Sequence, residues 1–384
     1  MIRSYSPRSG ARLVRWAPPF LVLVLLLCSA AASSAVDIPV RVDPRVELMS
    51  IIFRLAGSPE YNQGQVTAYE ADIDAFFADV RDHPAVVLAR KLHDESGIGY
   101  GAVMALAVHV TNPPELGEHV AFDPLPSGLA PQWTPDEARR FLSAVRHFAD
   151  ESHFMVFFSD QQGLYDLAVN RMSIAMENQS VGPWTQAFFG MPLGAAFTVI
   201  LGMSNGTSSY SSEVVASGRK GEYFSVVGVG QVDSAAMPVF SLDTLQPVMH
   251  EYLTAYIATR PSSAMERFAS AGRELYPAVE PIMTGLGYND WHLVVTETLV
   301  RAITIRWIGA GHEKDLVPRA VGYQQKMGFY WLDGMNDLLV EYESQRSQFP
   351  TFEAFVPRLA VYLATYAANA DERIDAVEAT WGNP

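Results

Sequence analysis

The chain has 384 residues, and 49% of them are hydrophobic, which is enough to bury a large core. It contains 27 lysines and arginines against 42 aspartates and glutamates, so its formal net charge at pH 7 is −15. An acidic balance of this size argues against a protein that binds nucleic acid or an anionic membrane surface.

The first 35 residues have the pattern of a secretory signal peptide, which is not part of a fold. They contain four arginines and no acid, and their apolar run at residues 20–27 is too short to span a membrane. Removing them leaves 349 residues with 23 basic and 42 acidic side chains, a net charge of −19. The only cysteine, Cys28, is removed as well, and the bulky Leu27 before it disfavours a lipid anchor. We therefore expect a secreted or periplasmic protein without disulfides or a membrane span.

Residues 36–190 are predicted to form a helical lobe. Apolar residues recur at helical spacing in residues 44–57, where Asp43 can cap the helix and Gly57 can end it. Thr134 and Glu137 have the spacing of a capping box, so another helix begins there. Further helices are predicted at residues 69–81, 84–92, 100–110 and 167–177. The proline-rich connection at residues 112–133 is a binding or covering loop, a disordered segment or a plain surface crossing.

Residues 191–384 are predicted to form a small sheet followed by a second helical lobe. Residues 196–203 and 223–229 are rich in β-branched and large apolar side chains, and a polar region containing Asn205-Gly206 separates them. This pattern predicts a hairpin or a small antiparallel sheet. The predicted fold class is α+β, mostly α-helical, with both lobes in one continuous globule.

One buried helix at residues 241–261 carries the main chemical signal. Its apolar residues recur at helical spacing, Asp243 and Gln246 have capping-box spacing, and a proline ends it. Within it lie His250 and Glu251, and Thr254 follows four residues after the histidine. A zinc peptidase helix of the form H-E-x-x-H would have a second histidine in place of Thr254.

A second helix, predicted at residues 290–308 with Asp290 as its cap, carries a glutamate in an apolar run. A buried carboxylate without a partner is costly, so Glu297 needs one. Arg301, four residues later, can form an ion pair with it, and a metal ion is the alternative.

The order of a small sheet, a His-Glu helix and a later helix with an inward glutamate resembles that of gluzincin-type zinc metallopeptidases. More specifically, the chain resembles a family of secreted bacterial proteins described as a domain of unknown function. The resemblance is carried by residues 42–57, 83–89, 247–252 and 290–303, together with the strands. It implies that His250 and Glu297 are zinc ligands and that Glu251 is the general base. Thr254 departs from the pattern, because it stands where the second histidine ligand belongs.

A working zinc site of this class needs three protein ligands and an open position for water. A threonine hydroxyl is a poor zinc ligand at neutral pH. His292 lies five residues before Glu297, roughly 140° around the helix, so it should point elsewhere. His312, beyond two glycines, could be recruited as a ligand. The sequence therefore predicts zinc that is weakly bound or absent.

Simpler interpretations of each residue stay open. His250 can be a hydrogen-bonded core histidine, and Thr254 can donate to the backbone of its own helix. We favour a peptidase-like scaffold that binds a peptide or protein without cutting it, over an active zinc-dependent peptidase with a recruited ligand. A glycosidase with Glu251 and Glu297 as its two carboxylates is supported only by their expected proximity.

Overall fold

The computed structural model describes residues 37–216, 220–311 and 314–381. The expectations for the first 35 residues, which include the signal peptide and Cys28, lie outside these residues, and so does His312. None of the helices within the described ranges has the length and apolar character needed to cross a membrane.

Four strands form one mixed sheet in the order β1-β2-β4-β3. Their bounds are β1 Val40–Val42, β2 Ala196–Gly202, β3 Ser209–Val214 and β4 Glu222–Gly228. Strands β1, β2 and β4 are parallel, with Val199 opposite Val40 on one side and Ser225 on the other, and β3 pairs antiparallel with β4 at one edge.

The expectation that residues 196–203 and 223–229 pair antiparallel is wrong. The serine-rich segment between them, interpreted as a turn, contains β3, which forms the hairpin with β4. The chain thus reverses direction twice between β2 and β4, and these two strands run parallel. Five of the seven residues in each of these strands are buried, and strands buried on both faces give continuous apolar runs that carry no signal of direction.

Eight helices of the described chain precede β2. They are α1 Pro44–Ala56, α2 Thr67–Phe76, α3 Pro84–Ser96, α4 Tyr100–Val108, α5 Pro135–Glu151, α6 Phe154–Asp160, α7 Gln162–Asn178 and α8 Val181–Phe189. The predicted caps of α1 and α5 are confirmed. Asp43 accepts from the amide of Arg45 at 3.0 Å, and Thr134 and Glu137 form a capping box. Gly57 ends α1 in the left-handed region, with φ 89°, which glycine adopts without a steric penalty.

The helices after the sheet complete the mostly helical α+β fold. They are α9 Leu242–Ala258, α10 Ser262–Met265, α11 Ala269–Gly285, α12 Trp291–Ala310, α13 Val317–Lys326, α14 Leu332–Ser344, α15 Phe352–Ala367 and α16 Ala370–Trp381. Helix α9 packs between the sheet, which it contacts through β2 and β4, and α12. Asp290 caps α12 as predicted, accepting from the amides of His292 and Leu293.

Asp243 does not cap α9, contrary to expectation. The helix begins two residues earlier than the capping-box pattern implies, with Ser241 at the cap position and no side-chain cap. Asp243 therefore lies within the first turn, where a carboxylate still interacts favourably with the free amides of the helix N-terminus.

Candidate functional site

Helices α9 and α12 bring His250 and Glu297 into contact. The Nε2 atom of His250 lies 3.4 Å from Oε1 of Glu297, and both side chains are only partly exposed. The contact follows from packing, because α9 and α12 lie side by side.

Glu297 has the ion-pair partner that its sequence position predicts. Nε of Arg301 donates to Oε2 of Glu297 at 3.1 Å. Arg301 also donates to Gln324 at 2.6 Å and to the hydroxyl of Tyr288 at 2.9 Å. Burial pushes the pKa of Glu297 upward, but the hydrogen bond and charge of His250 and the charge of Arg301 outweigh it, so the pKa is lowered. The carboxylate is ionised and held between two helices.

Glu251 has a different environment from Glu297. Burial raises the pKa of its carboxyl group, and the neighbouring Glu297 adds to this, while His250 and a hydrogen bond from Ser211 on β3 oppose it. Among the described residues no lysine, arginine or histidine forms a salt bridge with it. Glu251 is thus a partly buried acid without a paired cation.

The hydroxyl group of Thr254 is hydrogen-bonded within its own helix, which the simpler interpretation of this residue predicts. Its Oγ1 atom donates to the backbone carbonyl of His250 at 3.0 Å. His292 lies at the exposed first turn of α12, with its ring against that of Trp291.

The donor set can be compared with the needs of a zinc ion. Two ligands at about 2.0–2.1 Å from a tetrahedral ion are themselves roughly 3.3 Å apart, close to the 3.4 Å between His250 and Glu297. A third ligand is missing: the described residues contain no group of three His, Cys, Asp or Glu side chains that could hold a metal. Within the part of the chain that the structure describes, the residues therefore do not supply the three ligands of a catalytic zinc centre.

Glu251 forms part of the wall of two cavities. The larger, about 630 Å³, lies between α9, α12 and α13 and is bordered by His250, Arg301, Arg319 and Gln324. The smaller, about 270 Å³, lies between α9, the strands β2–β4 and the segment at Ser127 and Gly128. Glu251 lines both. We call the two cavities together the Glu251 groove.

The proline-rich connection at residues 112–133 is a covering loop at this site. Ser212 on the edge strand β3 donates to the carbonyl of Gly128 at 3.0 Å. Gly128 lies so close to β3 that a Cβ atom there would overlap the carbonyl oxygen of Glu213. The loop is anchored by buried Leu129 and by Trp133, whose indole donates to the carbonyl of Ala102 at 2.8 Å. The outer edge of β3 is therefore covered near Glu213.

Sequence reasoning missed the residues that α13 and β3 contribute to the groove. Helix α13 supplies Arg319, Tyr323 and Gln324, and β3 supplies Ser211 and Glu213. No local sequence pattern marked these residues, because their place in the groove depends on tertiary packing; in the structure α13 has no buried residue.

Together the fold and site define a helical α+β protein with a His-Glu-Arg cluster between two packed helices and a groove beside a mixed sheet. The family model described as "Domain of unknown function (DUF4932)" matches residues 38–361, so the chain belongs to this family. Neither the curated proteins nor the solved structures contain a match.

Proposed function

We propose that the protein binds peptides in the Glu251 groove without metal-dependent cleavage, on a scaffold related to the gluzincin-type peptidases. The observation that carries the proposal is that Glu251, a partly buried carboxylate with no salt bridge among the described residues, lines two cavities. Glu251 can accept hydrogen bonds from the N–H or ammonium groups of a peptide, and such bonds would offset the cost of burying its charge.

The groove has the mixed lining that suits a peptide. Its larger cavity combines apolar side chains, among them Ile305, Ile308 and Leu316, with the polar groups of Gln246 and Gln324. Ligand sites commonly combine an apolar lining with a few polar groups that fix orientation. A peptide of a few residues presents both kinds of surface, with side chains for the cavities and backbone groups for the polar atoms.

The expectation that the protein does not cleave peptides rests on the zinc donors among the described residues. Glu297 is already bonded to His250 and Arg301, and the Thr254 hydroxyl is bonded to its own helix. With two donors in place of three, zinc affinity falls and a bound water is less acidified. Glu251 then has no activated water to deprotonate.

An active zinc peptidase is the second candidate, and one observation favours it. The 3.4 Å between His250 and Glu297 is the spacing of two ligands on one ion. This alternative requires a third ligand from outside the described residues, and His312 is the first residue to mutate. Zinc-dependent turnover that is lost in Glu251→Gln and in His312→Ala would establish it.

The proposed binding is tested with a library of decapeptides of random sequence. The processed protein is incubated with the library, separated by gel filtration, and the bound peptides are identified by mass spectrometry. Ala320→Trp, which fills the larger cavity, should reduce recovery about tenfold or more, equivalent to at least ~1.4 kcal/mol. The control Val361→Trp places the same ring at an exposed helical position and should have no effect. Equal recovery from both variants would show that the peptides bind elsewhere.

A further inference from the structure

The smaller cavity of the Glu251 groove carries negative charge only. Its charged lining residues are Glu213 and Glu251, and none of the described residues that line it is a lysine, arginine or histidine. In the described chain neither carboxylate forms a salt bridge, whereas Glu297, on the other side of α9, has two partners. The cavity therefore concentrates two acidic groups without a fixed counter-charge.

Hydroxyl groups lie close to both carboxylates. The phenol of Tyr223 is close enough to Glu213, and the hydroxyl of Ser211 to Glu251, to influence the pKa values of Tyr223 and Glu251. Neither hydroxyl supplies a positive charge. A cation entering the cavity would gain attraction to both acids in surroundings less polar than bulk water, where charge pairs are stronger.

Aromatic rings form the walls of the same cavity. Phe197, Tyr223 and Phe224 line it, from β2 and β4. The face of an aromatic ring attracts a cation within about 6 Å, and the attraction grows when water is excluded. Paired carboxylates and aromatic walls around one small cavity are a combination that recognises an ammonium or guanidinium group and disfavours an anion.

The larger cavity, whose wall also includes Glu251, has charged groups of both signs. Arg301 and Arg319 line it together with Asp243, and Arg301 is paired with Glu297, whereas no salt bridge within the described residues neutralises Arg319. The two cavities of the Glu251 groove therefore differ in charge: the one beside β3 is lined by acidic groups alone, and the one beside α13 by both signs. A bound peptide would meet different charges at its two ends.

We propose that the smaller cavity is a recognition site for the cationic group of a peptide, either a lysine or arginine side chain or a free N-terminal amine. This assignment rests on the proposed function, because it specifies what the peptide-binding groove selects. The cation lies between Glu213 and Glu251 against the aromatic walls, and the chain continues past Glu251 towards Arg319.

The test compares the peptides that bind with those supplied. Two decapeptide libraries, one with free and one with acetylated N-termini, are incubated with the wild type, Glu213→Gln, Ser127→Lys and Glu280→Gln. Glu213→Gln removes one charge and keeps the shape of the side chain. Ser127→Lys, at an exposed loop position on the cavity rim, supplies a competing ammonium group. Glu280→Gln removes a charge from an exposed site on α11 and is the matched control.

The wild type and Glu280→Gln should enrich basic or free-amine peptides about tenfold, which corresponds to about 1.4 kcal/mol. Glu213→Gln and Ser127→Lys should lose this enrichment. If the enrichment persists in the acetylated library, the ligand is a basic side chain. If the enrichment is lost in that library, the ligand is the terminal amine. Peptides that bind without basic enrichment, or enrichment unchanged in both cavity variants, would overturn this assignment and leave the proposed function intact. Failure to recover any peptide would overturn both.

Discussion

Glu47 on α1 is the residue whose replacement should change stability most clearly with pH. Its side chain is fully buried, and it accepts hydrogen bonds from the amide of Met203 at 2.6 Å, the hydroxyl of Ser204 at 3.1 Å and the hydroxyl of Tyr69 at 2.6 Å. The Tyr69 hydroxyl in turn lies 2.7 Å from that of Tyr165. Glu47 thus joins α1 to α2, α7 and the end of β2 through neutral groups alone.

Burial is the largest influence on this carboxyl group. It raises the pKa of Glu47 from 4.5 to about 7, even though the hydrogen bonds from Tyr69, Met203 and Ser204 oppose the shift. The folded protein therefore binds a proton more tightly than the unfolded chain does. The stability that the raised pKa of Glu47 contributes is fully present below pH 4.5 and is lost as the pH rises through 7. At 1.36 kcal/mol per pKa unit, the loss is roughly 3 kcal/mol.

Glu47→Gln removes the titration while keeping the size of the side chain. We expect the free energy of unfolding of the wild type, relative to this variant, to fall by roughly 3 kcal/mol between pH 4 and pH 8. Urea unfolding curves at several pH values measure it, and the difference cancels groups that titrate in both proteins. Glu280→Gln, at an exposed position, should show no such trend. A difference between the wild type and Glu47→Gln that stays constant with pH would refute the reasoning.

The remaining predictions concern the cluster between α9 and α12. Thr254→His should raise the zinc content from well below one ion per chain to about one ion per chain, because the new imidazole lies one turn from His250. The zinc content is measured by elemental analysis after dialysis against zinc. Thr244→His is the control, and equal zinc content in the two variants would count against a retained metal pocket. Arg301→Met should cost about 3 kcal/mol in urea unfolding at pH 7, since Glu297 loses its ion pair. Because the pKa of Glu297 is lowered, this cost should shrink as the pH falls below 4.5, and a cost that is the same at pH 3 would contradict the pairing.

Local chemistry made much of the fold predictable from sequence. The caps at Asp43, Thr134 and Asp290 act within three residues, so their sequence patterns and their structures agree. The ion pair of Glu297 with Arg301 was likewise predictable, because residues four apart share one face of a helix.

Features that depend on distant parts of the chain were less predictable. The direction of β2 relative to β4 was inferred wrongly, since it depends on where β3 pairs rather than on the composition of either strand. The covering role of residues 112–133 rests on Gly128 meeting Glu213, a contact across 85 positions of the chain. Arg319 enters the groove only because α13 packs beside α12. No local periodicity encodes such contacts.

The measurement that tests metal-independent peptide binding most directly is mass spectrometry of one peptide mixture incubated with the protein under two conditions. One sample contains added zinc, and the other contains EDTA. We predict that the same peptides are recovered bound and intact from both samples, and that Glu251→Gln leaves the unbound peptides equally intact. Cleavage products that appear with zinc, vanish with EDTA and are absent with Glu251→Gln would contradict the account and establish a metallopeptidase.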